Sequence, residues 1–94
     1  MKLLTAEEIK EKLNDVAGWK IEDNKLIKEY KLKNFSEAIA FIVKIGIEAE
    51  KLDHHPDLFL YGWNNVKVIL STHSANGITE NDINLAHKIE QIVK

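Results

Sequence analysis

Three histidines and an aspartate in the second half of the chain are the residues whose types and spacing could do chemistry. His54 and His55 stand side by side in "KLDHHPDLFLYGW", residues 51–63, directly before Pro56, the one proline of the chain. His73 follows in "STHSANG", and Asp82 in "TENDINLAHKIEQIVK". Two adjacent imidazoles resist carrying two charges at once, so at least one is expected to be neutral near pH 7. A neutral ring beside a protonated one suits acid–base chemistry. Pro56 forbids helical continuation and braces the loop. In such a loop both rings can face one cleft, whereas in a strand they would point to opposite faces.

Blander readings of the same residues stand beside this one. His54 and His55 could be two surface loop histidines, and His73 a turn histidine at the end of a strand, although element ends often carry function. Asp82 continues the apolar stripe of the last helix, since it precedes Leu85, Ala86 and Ile89 by three, four and seven residues. A carboxylate on the core side needs partners. It could cap the helix, hold a histidine ring in its protonated form, or do both. His87 lies off the stripe and reads as a solvated surface residue. Three histidines and an aspartate could also hold a metal, but their spacing matches no zinc signature such as HExxH. Trp19 and Trp63 read first as core or edge residues, and a flat indole near histidines could stack on a ring-shaped substrate.

The elements that must position these groups follow from capping and periodicity. Thr5 and Glu8 stand in capping-box spacing with Ile9 and Leu13 four apart, which predicts a helix from about 6 to 14. "WKIEDNKLIKEYKL" predicts two strands around a turn at Asp23–Asn24, with Leu26, Tyr30 and Leu32 of one parity and Lys28 the exception. "NFSEAIAFIVKIGIEAEKLD" is the strongest helix, capped by Asn34 or Ser36. Its stripe of Ala38, Phe41, Ile42, Ile45, Ala49 and Leu52 is flanked by a second, Ile39, Val43, Gly46 and Ile47. So wide an apolar face predicts burial on more than one side. "DLFLY" and "VKVILS" predict a hairpin around "GWNN". Gly77 is the expected positive-φ residue of the following turn. The last helix has Thr79 and Asp82 at N-cap and N3 spacing and a core stripe of Leu85, Ala86, Ile89, Ile92 and Val93. The order α-β-β-α-β-β-α predicts an α+β fold, a four-stranded antiparallel sheet with helices on one face. The other sheet face has fewer covers and could meet a partner subunit or solvent.

Bulk properties narrow the classes. Ninety-four residues make a single domain, 1–94. A chain of this size buries only about 60–65% of its unfolded surface, so its core is thin and oligomerisation readily thickens it. The net charge is −2 without a basic run, which argues against a nucleic-acid partner. The absence of cysteine excludes disulfides, a thiolate nucleophile and zinc–thiolate sites. The start "MKLLTAEEIKEKL" reaches charge too soon for a signal peptide, and no apolar run approaches membrane length. The expected setting is soluble and cytoplasmic, without a membrane partner. No phosphate-cradling loop and no Ser/His/Asp order stand out.

"EAEKLDHHP", "VKVILSTHS" and "GITENDINLAHKIEQI" closely resemble the pterin-4a-carbinolamine dehydratase family, also called 4a-hydroxytetrahydrobiopterin dehydratases. "GWK" and "YKLKNFSEAIAFI" fall in the same order, so the resemblance runs from about Gly18 to the C-terminus. It implies the same α-β-β-α-β-β-α fold and a hydro-lyase that removes water from a 4a-hydroxytetrahydropterin to give the quinonoid dihydropterin. It implies no metal and no organic cofactor, and a homodimer or homotetramer. His54 and His73 would be the acid–base pair, His55 would bind and orient the pterin, and Asp82 would orient and polarise a histidine. Glu50, Lys51 and Trp19 would support the substrate pocket. "DLFLYGWNNV" is one residue longer than the usual family hairpin, so no pterin contact is assigned across 57–65. Some animal members also act as coactivators of a homeodomain transcription factor, a role that no residue here supports. Two alternatives share the fold: a dimerising interaction module, and an enzyme for another pterin, such as one linked to molybdenum cofactor.

Overall fold

Thr5 begins the first helix with a closed capping box. Its hydroxyl accepts from the Glu8 N–H at 3.1 Å, and its own N–H donates to the Glu8 carboxylate at 2.9 Å. The structure, a computed structural model, describes residues 2–93. Helix α1 spans Ala6–Lys12, two residues shorter than the apolar spacing predicts, and Leu13 is its C-cap. Strands β1 (Lys20–Glu22) and β2 (Lys25–Lys31) meet at Asp23 and Asn24, which both have positive φ. Two left-handed residues give a hairpin the twist its strands need.

Helix α2 spans Phe35–Leu52, and Asn34 is its cap. The Asn34 side chain accepts from the Glu37 N–H at 2.9 Å, while Ser36 only donates to that same oxygen. Strands β3 (Asp57–Tyr61) and β4 (Asn65–Leu70) turn through Gly62 and Trp63, and α3 spans Glu80–Ile92. The sheet is antiparallel in the order β1-β2-β4-β3. The expected α+β architecture is therefore the observed one. Leu26 faces Leu70 and Tyr30 faces Val66 across the central pair. Together with Val68 they meet Phe41, Ile45 and Ala49 of α2 and Leu85, Ala86 and Ile89 of α3 in one buried cluster. No helix among the described residues is long and apolar enough to cross a membrane.

Four expectations are corrected by packing. The second stripe of α2 is not buried, since Ile39, Val43 and Ile47 are 43–55% exposed. The helix rests on the sheet by one face only. The positive-φ residue of the STHSANG turn is Asn76, not Gly77. Gly77 is needed for closeness instead, because a Cβ there would lie 2.7 Å from the Leu3 side chain. Val93 is exposed at the end of α3 and leaves the core stripe. His87 is only partly exposed, and its ring donates to the Lys12 carbonyl at 2.9 Å, joining α3 to α1.

Lys28, the exception to the parity of β2, is accommodated by α3. Its ammonium bonds the Ala17 carbonyl at 2.6 Å and Glu90 at 2.8 Å, and lies 4.8 Å from the Tyr30 ring centre. The Tyr30 hydroxyl donates to the same Glu90 carboxylate. Burial, and then that carboxylate, push the Tyr30 phenol far above its ordinary 10.0. The raised value means that the neutral phenol stabilises the fold below pH 10. Above it the unfolded chain binds fewer protons than the folded one, so stability declines by up to about 1.4 kcal/mol per pH unit for this group. Urea midpoints between pH 9 and 11 are expected to fall more steeply for the native protein than for Tyr30→Phe. Equal slopes would refute the assignment.

Candidate active site

The site begins at the exit of α2. Asp53 takes the left-handed conformation (φ 50°, ψ 45°), and the His54 N–H reaches back to the Ala49 carbonyl at 3.0 Å. This closes the helix three residues before Pro56 and turns His54 inward. His54 is 8% exposed, and its Nε2 lies 2.5 Å from Asp82 Oδ1. A carboxylate only accepts, so the shared hydrogen is carried by Nε2, and in the neutral form of the ring the lone pair lies on Nδ1. Among the described residues nothing hydrogen-bonds Nδ1. Trp19 Nε1 is the one buried side-chain polar atom there without a partner. The ring is thus anchored at one nitrogen and available at the other.

Asp82 is fully buried as the N3 residue of α3. Its Oδ2 accepts from the Thr79 N–H at 2.9 Å, completing the capping box, and from the Thr72 hydroxyl at 2.9 Å. Its two oxygens thus have different partners: one caps the helix and the other meets His54. Isolated buried carboxylates are costly, and three donors offset that cost here.

His73 opens a one-turn 3₁₀ segment (His73–Ala75) and is exposed. It lines a cavity of about 230 Å³ with Asp23, Asn24, Lys25 and Thr72. Thr72 therefore borders the cavity of His73 with its own residue and reaches Asp82 with its hydroxyl. His55 turns outward, where its Nε2 meets Glu50 Oε1 at 2.6 Å, both side chains largely exposed. The HHP step thus sends its two rings to different partners within the chain, one buried and one exposed, rather than into one shared pocket. Lys51 pairs with Glu48 on the surface of α2. Trp19 packs edge-on against Tyr30 and lines a separate apolar hollow with Ile9, Leu13 and Val16. Among the described residues no three histidine, aspartate or glutamate side chains gather closely enough to share a metal ion.

Residues 2–92 match the family described as pterin 4 alpha carbinolamine dehydratase. The chain belongs to that family. It is 49% identical over 89 residues to a protein of Sulfolobus acidocaldarius provisionally named pterin-4-alpha-carbinolamine dehydratase, covering 95% of this chain and 97% of the relative. It is 40% identical over 96 residues to pterin-4-alpha-carbinolamine dehydratase 2, mitochondrial, of Arabidopsis thaliana, covering 98% of this chain and 51% of that one. A crystal structure from Brucella melitensis, described as a transcriptional coactivator/pterin dehydratase, is 41% identical with a TM-score of 0.91. That likeness covers 99% of this chain and 100% of the other. A pterin dehydratase-like protein described as a RuBisCO assembly factor of the alpha-carboxysome shares the fold at 16% identity, with a TM-score of 0.65 over 81% of this chain and 89% of that one.

Within this family member, Thr72 is the contact of Asp82 that motif reasoning missed. The signal was present: the inward alternation Val66, Val68, Leu70 continues by one step to Thr72, which is buried. A hydroxyl on that parity needs a buried partner, and Asp82 is that partner.

Proposed function

We propose that the protein is a dehydratase acting on 4a-hydroxytetrahydropterins, with His54 and His73 as the acid–base pair. In the reaction the bond from the 4a carbon to its hydroxyl oxygen breaks, and the hydroxyl leaves as water with a proton supplied by one ring. The other ring takes the proton from the neighbouring N5. The electron pair freed there forms the carbon–nitrogen double bond of the quinonoid dihydropterin. Protons and charge balance without an added cofactor. The observation that carries the reading is the buried His54–Asp82 pair in a chain of this family. It fixes one nitrogen of the ring and makes Nδ1 the natural acceptor of the N5 proton. His73, exposed in its polar cavity, is then the donor to the leaving hydroxyl. His55, backed by Glu50, would hold the pterin at the mouth, and Lys51 would lie at its rim.

Capping the helix needs only one oxygen of Asp82, and the fold itself makes no use of a histidine held on the other, so the enzyme reading is preferred over an interaction module. Which pterin is the natural one is addressed by comparing side chains in the same assay. We also read the protein as a homodimer or homotetramer. The exposed stripe of Phe35, Ile39, Val43 and Ile47 along α2 favours this, since large exposed apolar faces mark association surfaces.

Dehydration of synthetic 4a-hydroxytetrahydropterin, followed by absorbance with excess chelator, tests the proposal. The native protein is expected to accelerate the reaction regardless of chelator. Folded His73→Ala is expected to be slower by about 10²–10⁴-fold, the usual worth of a positioned acid or base. A native protein no faster than buffer would refute the reading.

A further inference from the structure

Thr72 sits where two parts of the site meet. Its Oγ1 lies 2.9 Å from Asp82 Oδ2 and 2.7 Å from Thr79 Oγ1. The direction of each bond follows from valence. The carboxylate only accepts, so Thr72 gives its single hydroxyl hydrogen to Asp82. The bond between the two threonines must then run from Thr79 to Thr72. Thr79 Oγ1 in turn accepts from the Asn81 N–H at 3.3 Å. The result is a one-way chain of donors, from the first turn of α3 through Thr79 and Thr72 to Oδ2. With the Thr79 N–H also on Oδ2, the other oxygen is left to His54.

The backbone of the same residue closes the neighbouring loop. The Thr72 N–H donates to the Gly77 carbonyl at 2.8 Å, and the Thr72 carbonyl accepts from the Ala75 N–H at 3.1 Å. His73 lies within the loop so closed.

We propose that Thr72 is a positioning residue for the reaction: its hydroxyl locks the Asp82 carboxylate in the orientation that presents Oδ1 to His54, while its backbone closes the loop that carries His73. The proposal rests on the acid–base reading of those two histidines. Rotation of a carboxylate about its last torsion is soft. Without the Thr72 hydroxyl, only the Thr79 N–H would hold Oδ2, and His54 would lose a fixed acceptor.

The test compares Thr72→Val, which removes the hydroxyl at similar shape, with Thr72→Ser, which keeps it. kcat and KM for 4a-hydroxytetrahydropterin are read alongside the His54 side-chain nitrogen and Nε2–H signals by NMR. Thr72→Val is expected to lower kcat by about 10-fold or more at unchanged KM, since a misplacement of ~1 Å can cost about 10²-fold. Its Nε2–H signal is expected to move or to exchange away, and Thr72→Ser to restore both readouts. A folded Thr72→Val with native kcat and an unmoved signal would overturn the proposal, as would a serine variant as impaired as the valine one. If valine prevents folding, serine decides alone: native kcat supports the hydroxyl and a loss refutes it. The NMR readout separates the two levels. A native protein that leaves the pterin untouched defeats the dehydratase reading, whereas an unmoved signal in Thr72→Val defeats the positioning role.

Discussion

Asp82→Asn is expected to fold and to lose activity by about 10³–10⁴-fold, because the substitution puts the His54 hydrogen on the wrong nitrogen. The native carboxylate receives three donors, from His54, Thr72 and the Thr79 N–H. An amide has one accepting atom and one donating group. Its oxygen is best placed opposite Thr72 and Thr79, where two donors converge. The NH₂ group then faces His54 Nε2, which must become an acceptor. The hydrogen moves to Nδ1, the atom left to meet substrate, and the ring can no longer take up a proton there. Side-chain nitrogen spectra of His54 should show the change of tautomer directly. Unaltered spectra with full activity in Asp82→Asn would sink the assigned role. Asp82→Ala differs in kind. It strands three buried donors, and each buried donor left without a partner costs about 1–3 kcal/mol. Against the roughly 5–15 kcal/mol that holds a typical domain together, that variant is expected to be partly unfolded at room temperature.

His54 should separate chemistry from stability in the same way. His54→Gln can still donate to Asp82 but has no group that takes up a proton near neutral pH. Its thermal midpoint is expected to stay close to native while kcat falls by about 10²–10⁴-fold. His54→Ala loses the same activity and also leaves the Asp82 carboxylate buried without one of its donors, a further cost of about 1–3 kcal/mol. Calorimetry and the dehydration assay on the two variants resolve the contributions. A glutamine variant with native turnover would remove His54 from the chemistry.

The local rules of the chain were legible without coordinates. Thr5 with Glu8 and Thr79 with Asp82 announced two helix starts, and both boxes are closed. The paired turn residues Asp23 and Asn24 announced a hairpin, and alternation placed Leu26 and Tyr30 on one face of β2, the buried one. These signals act over two to four residues, where backbone geometry alone sets which side chains share a face. Asp82 belongs with them, since its place on the stripe of Leu85 and Ile89 required a buried carboxylate with partners.

What those partners are was decided only by the tertiary structure. His54 is 28 residues from Asp82 and Thr72 is 10 residues away. Nothing local selects between His54 and His55, which are chemically identical neighbours. The left-handed Asp53 makes the selection by turning the chain at the end of α2, so one ring enters the interior and the other meets Glu50 at the surface. The second apolar stripe of α2 stands exposed for a related reason. Periodicity states that a face is apolar, but a helix lying on one side of a four-stranded sheet has only one face to bury. Sequence by itself therefore determined the elements, their order and the need of a buried carboxylate for partners. Only the packing of α2, β4 and α3 against one another determined which histidine and which hydroxyl meet that acid, because contacts between distant segments depend on which surfaces are buried together.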